Sequence, residues 1–208
     1  IQGLWNTMYA DGLMDAKIMY DLAVADNNSA LQGVAMTISA YYFSIVTDAW
    51  GDVPFTEALQ AGSATGIITP KYDTQDGIYT AILAMLDQAN DMYASGVGTI
   101  NGDFDLVYQG DASKWQKFNN SLKFRLLMRV SSKMNVSSQL QEIVNSRAVF
   151  TSNDDNAGLT YLGSDPNANP IFETIINGNR AEFKVSDVLV DMLDATSDPR
   201  LPVYAGVN

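Results

Sequence analysis

Apolar residues recur at three- and four-residue spacing along most of this 208-residue chain, and clusters of Gly, Pro, Asn and Asp cut the pattern into helix-length pieces. Ile1, Leu4/Trp5, Met8/Tyr9, Gly12, Ala16, Met19/Tyr20 and Ala23 form the first stripe, ended by Asp26-Asn27-Asn28. Leu13, Ile18 and Leu22 lie off it, which predicts a helix covered on more than one side. Leu31, Val34/Ala35, Ile38, Tyr41/Tyr42, Ile45/Val46 and Ala49 form the second, stopped at Gly51-Asp52-Val53-Pro54 because Pro cannot continue a helix. Further stripes run through Ile78, Ile82, Met85/Leu86, Ala89 and Met92/Tyr93, and through Trp115, Phe118, Leu122, Leu126 and Val130. A shorter helix is expected from about Ser138 to Arg147, and a last one follows Ser186. Six helices and little strand signal predict an all-α chain of stacked antiparallel helices, in one helical domain over 1–208. Helix starts near 30, 73 and 113 suggest solenoid-type helix pairs.

Ser29-Ala30-Leu31-Gln32 and Ser113-Lys114-Trp115-Gln116 read as capping boxes, and Asp73 as an N-cap. Residues 60–70, 95–113 and 149–185 read as loops, with a short strand expected at Gly158–Gly163.

Composition narrows the chemistry. The chain has no Cys and no His, which removes thiol catalysis, disulfides, imidazole bases and nearly every zinc or copper site. A net charge of −12 disfavours nucleic acid and anionic membranes as ligands. Apolar runs such as Val188–Val190 are too short to span a bilayer. The start, Ile1-Gln2-Gly3-Leu4-Trp5, lacks both an initiator Met and signal-peptide regions, so a piece of a longer chain is expected.

The candidate site residues carry competing readings. Asp48 and Asp52 offer a carboxylate pair for acid/base work, or a helix end whose acids pair with Arg. Six of the 12 basic residues fall between 114 and 133, a stretch without an acid. There Arg125 and Arg129 share a face with Phe118 and Leu122. The two guanidinium groups could grip an anionic ligand; pairing with aspartates at loop ends is the preferred reading, with at least one Arg mostly buried. Asn101–Asp105 begins like a calcium loop, but Leu106 and Ala112 stand where glycine and the terminal glutamate belong; Asn153–Asn156 is no stronger, so structural calcium has little support. Trp5 and Trp115 read as core. Trp50 and Tyr72, each at a helix mouth beside Gly or Pro, are the candidates for stacking on a sugar ring.

Four segments together resemble the SusD/RagB family, in its second SusD-like branch. They are Tyr41 to Leu59 with its Gly51-Asp52-Val53-Pro54-Phe55 turn; Pro70 to Gln75 followed by Ile78-Tyr79 and Leu86-Asp87-Gln88-Ala89; Tyr108-Gln109-Gly110-Asp111 through Lys114 to Arg125; and Phe183-Lys184-Val185-Ser186 with Asp198-Pro199-Arg200-Leu201. The resemblance implies a surface-exposed outer-membrane lipoprotein with tetratricopeptide-like helix pairs. Such a protein binds an oligosaccharide or polysaccharide, or a peptide in some cases, and is not an enzyme. Its implied partner is a SusC-type TonB-dependent transporter. Trp50 and Tyr72 lie inside family motifs, which suits a structural or transporter-facing role as well as a sugar contact. The alternatives are a peptide-binding or structural helix-repeat scaffold and, after it, a glycoside hydrolase using paired aspartates.

Overall fold

The computed structural model describes residues 2–64, 66–161, 163–164, 168–180, 182 and 184–206. Ile1 of the first stripe and Phe183 of the late motif lie outside the described residues. Where the sequence suggests one domain, the chain packs as two compact units, Ile1–Leu159 and Thr160–Asn208. The boundary falls in the stretch that has lost helical periodicity.

The first unit opens with α1 (Gln2–Asn6), a π-helical segment (Thr7–Leu13) and α2 (Met14–Ala25). Then come α3 (Ser29–Trp50), α4 (Gln75–Ala94), α5 (Ala112–Val130) and α6 (Ser137–Ser146). No strand forms among the described residues; of the expected strand at Gly158–Gly163, residues 158–161 are irregular backbone, Gly163 sits in a bend and Leu162 lies outside the described residues. An isolated antiparallel bridge, Val53 with Asp73, closes the loop between α3 and α4.

Polar contacts fix the helix directions. Gln32 Nε2 donates to the Ala23 carbonyl at 3.2 Å, tying the end of α2 to the start of α3. The Ala30 amide donates to Val97 O at 3.0 Å, and Gln75 Nε2 donates to Thr47 O at 2.7 Å, so α3 and α4 run antiparallel. Asn119 Nδ2 donates to Leu86 O, and Gln116 Nε2 donates to Asn90 Oδ1, so α4 and α5 do too. Helices α3 and α5 therefore run in the same direction, and Thr37–Asn119 and Asp48–Arg129 contacts link them in parallel register. This is the stacked helix-pair arrangement that the spacing predicts.

Leu13, Phe43, Val46, Ile78, Ile82, Leu86, Leu122, Leu126 and Ile143 form the main core. Helix α3 is long and apolar enough to cross a membrane, unlike the short runs singled out in the sequence, but most of it is buried between its neighbours. Close approach depends on glycine at two points. A Cβ on Gly12 would sit 2.9 Å from the Tyr42 ring, and one on Gly33 would sit 2.9 Å from the Tyr93 ring. Tyr93 is buried and its hydroxyl is bonded to Thr37, so its ring cannot swing away. Gly33→Val should therefore cost about 2 kcal/mol by overpacking; a chemical-denaturation midpoint equal to wild type would refute the close contact.

Three local expectations need correction. The cap of α3 is Asn28, whose side chain accepts the Leu31 amide, and that of α5 is Asp111, which accepts the Ser113 and Lys114 amides. Both precede the expected Ser, because a short Asx side chain before the helix reaches the free amides without giving up a helical position. Thr74, not Asp73, precedes α4; Asp73 turns outward to accept the Phe55 and Thr56 amides. The first helix also departs: Leu13 is buried, but Ile18 and Leu22 are 49% and 61% exposed, so α2 is covered on one side only.

The second unit holds α7 (Pro170–Phe172), a π-helical turn (Glu173–Asn177), α8 (Asp187–Ala195) and α9 (Leu201–Tyr204). Ser186 caps α8 as expected, accepting the Leu189 amide. Asp198 accepts from the Arg200 guanidinium at 2.6 Å, and this bond holds its carboxyl down at about 2.

Candidate functional site

The π-helical segment builds one wall of a surface cleft. At about 100° per residue, Trp5 and Met14, nine positions apart, would point to opposite sides of an α-helix. Winding with i→i+5 bonds stacks positions five apart and returns both to one side. Trp5, Tyr9, Ala10 and Met14 accordingly line the same cleft. The opposite wall comes from the segment after α3 (Pro54, Ala58, Leu59) and from the loop leading to α4 (Ile67, Ile68, Pro70, Tyr72). The cleft encloses ≈ 440 Å³, within the range of small-ligand sites.

Its walls are braced from behind. The Tyr9 hydroxyl donates to Pro54 O at 2.6 Å, clamping the π-helical segment to the turn after α3. Burial, reinforced by the nearby Tyr72 and Asp73, pushes the Tyr9 phenol well above its usual range, so it stays a neutral donor. Trp5 packs at 4.8 Å on Tyr9 and edge-on at 5.2 Å against Trp50. Leu59 has a positive φ of 62°, a conformation costly for a bulky side chain and held here at the cleft wall.

The sequence candidates separate on this map. Tyr72 is 64% exposed and lines the cleft. Trp50 is half-buried and packs against Trp5 with the two rings nearly perpendicular. Trp5, expected as pure core, forms part of the wall. The i→i+5 winding hid it, since helical stripes are read at 3.6 residues per turn.

Asp48, Asp52 and Arg129 meet elsewhere, in a polar cleft of ≈ 610 Å³ with Gln75, Asp76, Tyr79 and Lys133. Asp48 accepts from the Tyr79 hydroxyl at 2.6 Å and forms an ion pair with Arg129. Asp52 accepts the Gln75 amide at 2.9 Å. Both carboxylates thus brace helix ends. Arg125 pairs with neither: it is exposed, with its guanidinium 5.7 Å from the Tyr41 ring centre. Arg129 is also exposed. The buried cation is Lys123, 2% exposed, with its Nζ 2.5 Å from Asp87 Oδ1. The expected burial of an Arg is therefore overturned: Asn119, Lys123 and Leu127, four apart, belong to the core face, while Arg125 and Arg129 flank it.

In each loop compared with a calcium site one carboxylate is engaged by neighbouring donors. Asp105 accepts the Val107, Tyr108 and Gly110 amides and the Trp115 indole N–H at 2.8–3.1 Å. Asp155 accepts from Lys117 at 2.7 Å and from the Thr151 amide at 2.8 Å.

Stacked antiparallel helix pairs carrying a surface cleft define a helical-repeat scaffold, and comparison with known proteins gives that scaffold a family. A family model described as "Starch-binding associating with outer membrane" matches residues 1–208. The chain belongs to the SusD/RagB family, in its second SusD-like branch. A SusD homologue from Bacteroides fragilis superposes with a TM-score of 0.80 at 28% identity, covering 93% of this chain and 41% of that one. A chitin-binding protein matches with a TM-score of 0.78 at 32% identity, over 96% of this chain and 42% of its own. A SusD/RagB family protein from Bacteroides thetaiotaomicron matches with a TM-score of 0.75 at 32% identity, over 94% and 40%. The chain thus spans about two fifths of the length of these solved relatives. No curated protein matches the sequence.

Proposed function

We propose that this chain is the helical part of a glycan-capture protein. In this reading it sits on the outer membrane as a lipid-anchored, surface-exposed component and delivers its ligand to a SusC-type TonB-dependent transporter. It binds glycans and does not cleave them. The observation that carries the reading is the cleft with Trp5, Tyr9 and Tyr72 on its walls and no charged side chain among its described lining residues. Aromatic faces beside apolar walls match the CH-rich faces of a neutral sugar. The family description and the chitin-binding relative support the same ligand class. The engagement of Asp48 with Tyr79 and Arg129, and of Asp52 with Gln75, favours binding over hydrolysis.

Titration calorimetry against the best ligand from a glycan array tests this. Tyr72→Ala and Trp5→Ala should each weaken binding by about 1 kcal/mol, roughly fivefold, with little dependence on salt. Trp50→Ala should do less, since its ring reaches the cleft only through Trp5. Unchanged affinity in folded Tyr72→Ala and Trp5→Ala would move the site elsewhere. A ligand set of peptides instead of sugars would replace the reading with peptide capture.

A further inference from the structure

The polar inventory of the cleft narrows which sugar it suits; this step rests on the glycan reading above. Among its described lining residues only Trp5, with a lone indole N–H donor, and Tyr9, Gln60 and Tyr72 carry polar side-chain nitrogen or oxygen atoms. The Tyr9 hydroxyl has spent its proton on Pro54 O. The Gln60 amide donates to the Thr56 carbonyl at 2.9 Å. The Tyr72 hydroxyl, on a ring 64% exposed at the rim, has no hydrogen-bond partner among the described residues. The interior is Met14, Ala58, Leu59 and Ile67.

A plain hexose unit carries several hydroxyls, and burying one without a partner is unfavourable. An N-acetylated hexose replaces one of those hydroxyls with an amide that ends in a methyl group. The methyl gains from an apolar wall, while the amide, with one N–H donor and one C=O acceptor, stays at the rim where water and the Tyr72 hydroxyl serve it. We propose that the cleft between the π-helical segment and the 54–72 loop takes an N-acetylhexosamine unit of a glycan. The acetyl methyl lies against Met14, Leu59 and Ile67, the sugar face stacks on Trp5 or Tyr72, and the Tyr72 hydroxyl serves the acetamido group.

The test is calorimetry of the 208-residue chain with three hexasaccharides: N-acetylglucosamine hexamer, its de-N-acetylated form, and maltohexaose. The de-N-acetylated form is cationic at neutral pH and the protein carries −12, so all three are compared at about 0.5 M salt, where such attraction is screened. The N-acetylated hexamer should bind about fourfold more tightly than the other two, from burial of an acetyl methyl against the apolar wall. Ile67→Asn should erase that preference. Ile68→Asn, at a position 80% exposed, is a second variant that leaves the core untouched and should reduce it. Equal or tighter binding of maltohexaose overturns the acetyl inference and leaves the glycan reading standing. A preference that survives both variants removes it from this cleft. Binding of none of the three overturns the acetyl inference, and the glycan reading is then decided by the array.

Discussion

Lys123→Ala is expected to destabilise the protein by about 3 kcal/mol, the lower end of what breaking a buried pair costs, while Arg125→Ala stays within about 1 kcal/mol. The Lys123 side chain is 2% exposed, and its ammonium meets Asp87 at 2.5 Å. Asp87 itself is 42% exposed and also receives Arg147 at 2.8 Å, so it keeps a partner and water when Lys123 is gone. That places the cost at the low end and locates it in the emptied volume under the long methylene stem as well as in the lost pair. Arg125 only overlies the Tyr41 ring from the surface. Urea unfolding of both variants gives the comparison, provided the denaturant slope is unchanged. Equal small effects would show that the Lys123 pair contributes nothing net.

Asp105→Ala should cost a similar amount, about 3 kcal/mol, because it strands several donors at once. One carboxylate holds three amides of the 106–110 turn and the indole of Trp115, itself only 4% exposed, so the loop and the start of α5 loosen together. Burial alone would raise the Asp105 carboxyl; the Trp115 indole and the Gly110, Tyr108 and Val107 amides outweigh it and hold the group below the usual carboxylate range. A lowered folded-state pKa means that this stabilisation is complete above the unfolded value of about 3.9 and is lost as pH falls through the folded one. Stability of the wild type should therefore fall below about pH 4 more steeply than that of Asp105→Ala. Parallel acid titrations of the two, followed by circular dichroism, would show Asp105 to be uninvolved.

The long helices were legible in the sequence because each buries a stripe at regular spacing: Ile78, Ile82, Leu86 and Ala89 in α4 are all fully buried. What misled was polarity inside those stripes. Asn119 and Lys123 sit four apart on the core face of α5, but their side-chain type argues for solvent, and apolar spacing alone centres the face on Phe118 and carries Arg125 with it. The cleft was half legible. Tyr72 stood out beside Pro70 before a helix. Trp5 and Met14 did not, because no one-dimensional pattern announces a stretch wound with i→i+5 bonds. The distinction between Arg125 and Lys123 depends on about one residue of rotation on a helical wheel, finer than apolar spacing alone resolves.

The hydroxyl of Thr37 touches three helices. It lies 2.8 Å from its own helix's Gly33 carbonyl, 3.0 Å from the Tyr93 hydroxyl on α4 and 3.0 Å from Asn119 Oδ1 on α5, and Asn119 passes the link back to the Leu86 carbonyl at 2.9 Å. Thr37 and Asn119 are wholly buried. Apolar ridges alone would let neighbouring helices slip by a turn and repack, at modest loss. A slip here would leave each of these groups without a partner in a dry interior. The contact therefore works as an index pin: it admits one alignment of α3, α4 and α5, and a version of the chain cut before Asn119 would keep the Thr37–Tyr93 half of the pin between α3 and α4 but lose the half that sets α5.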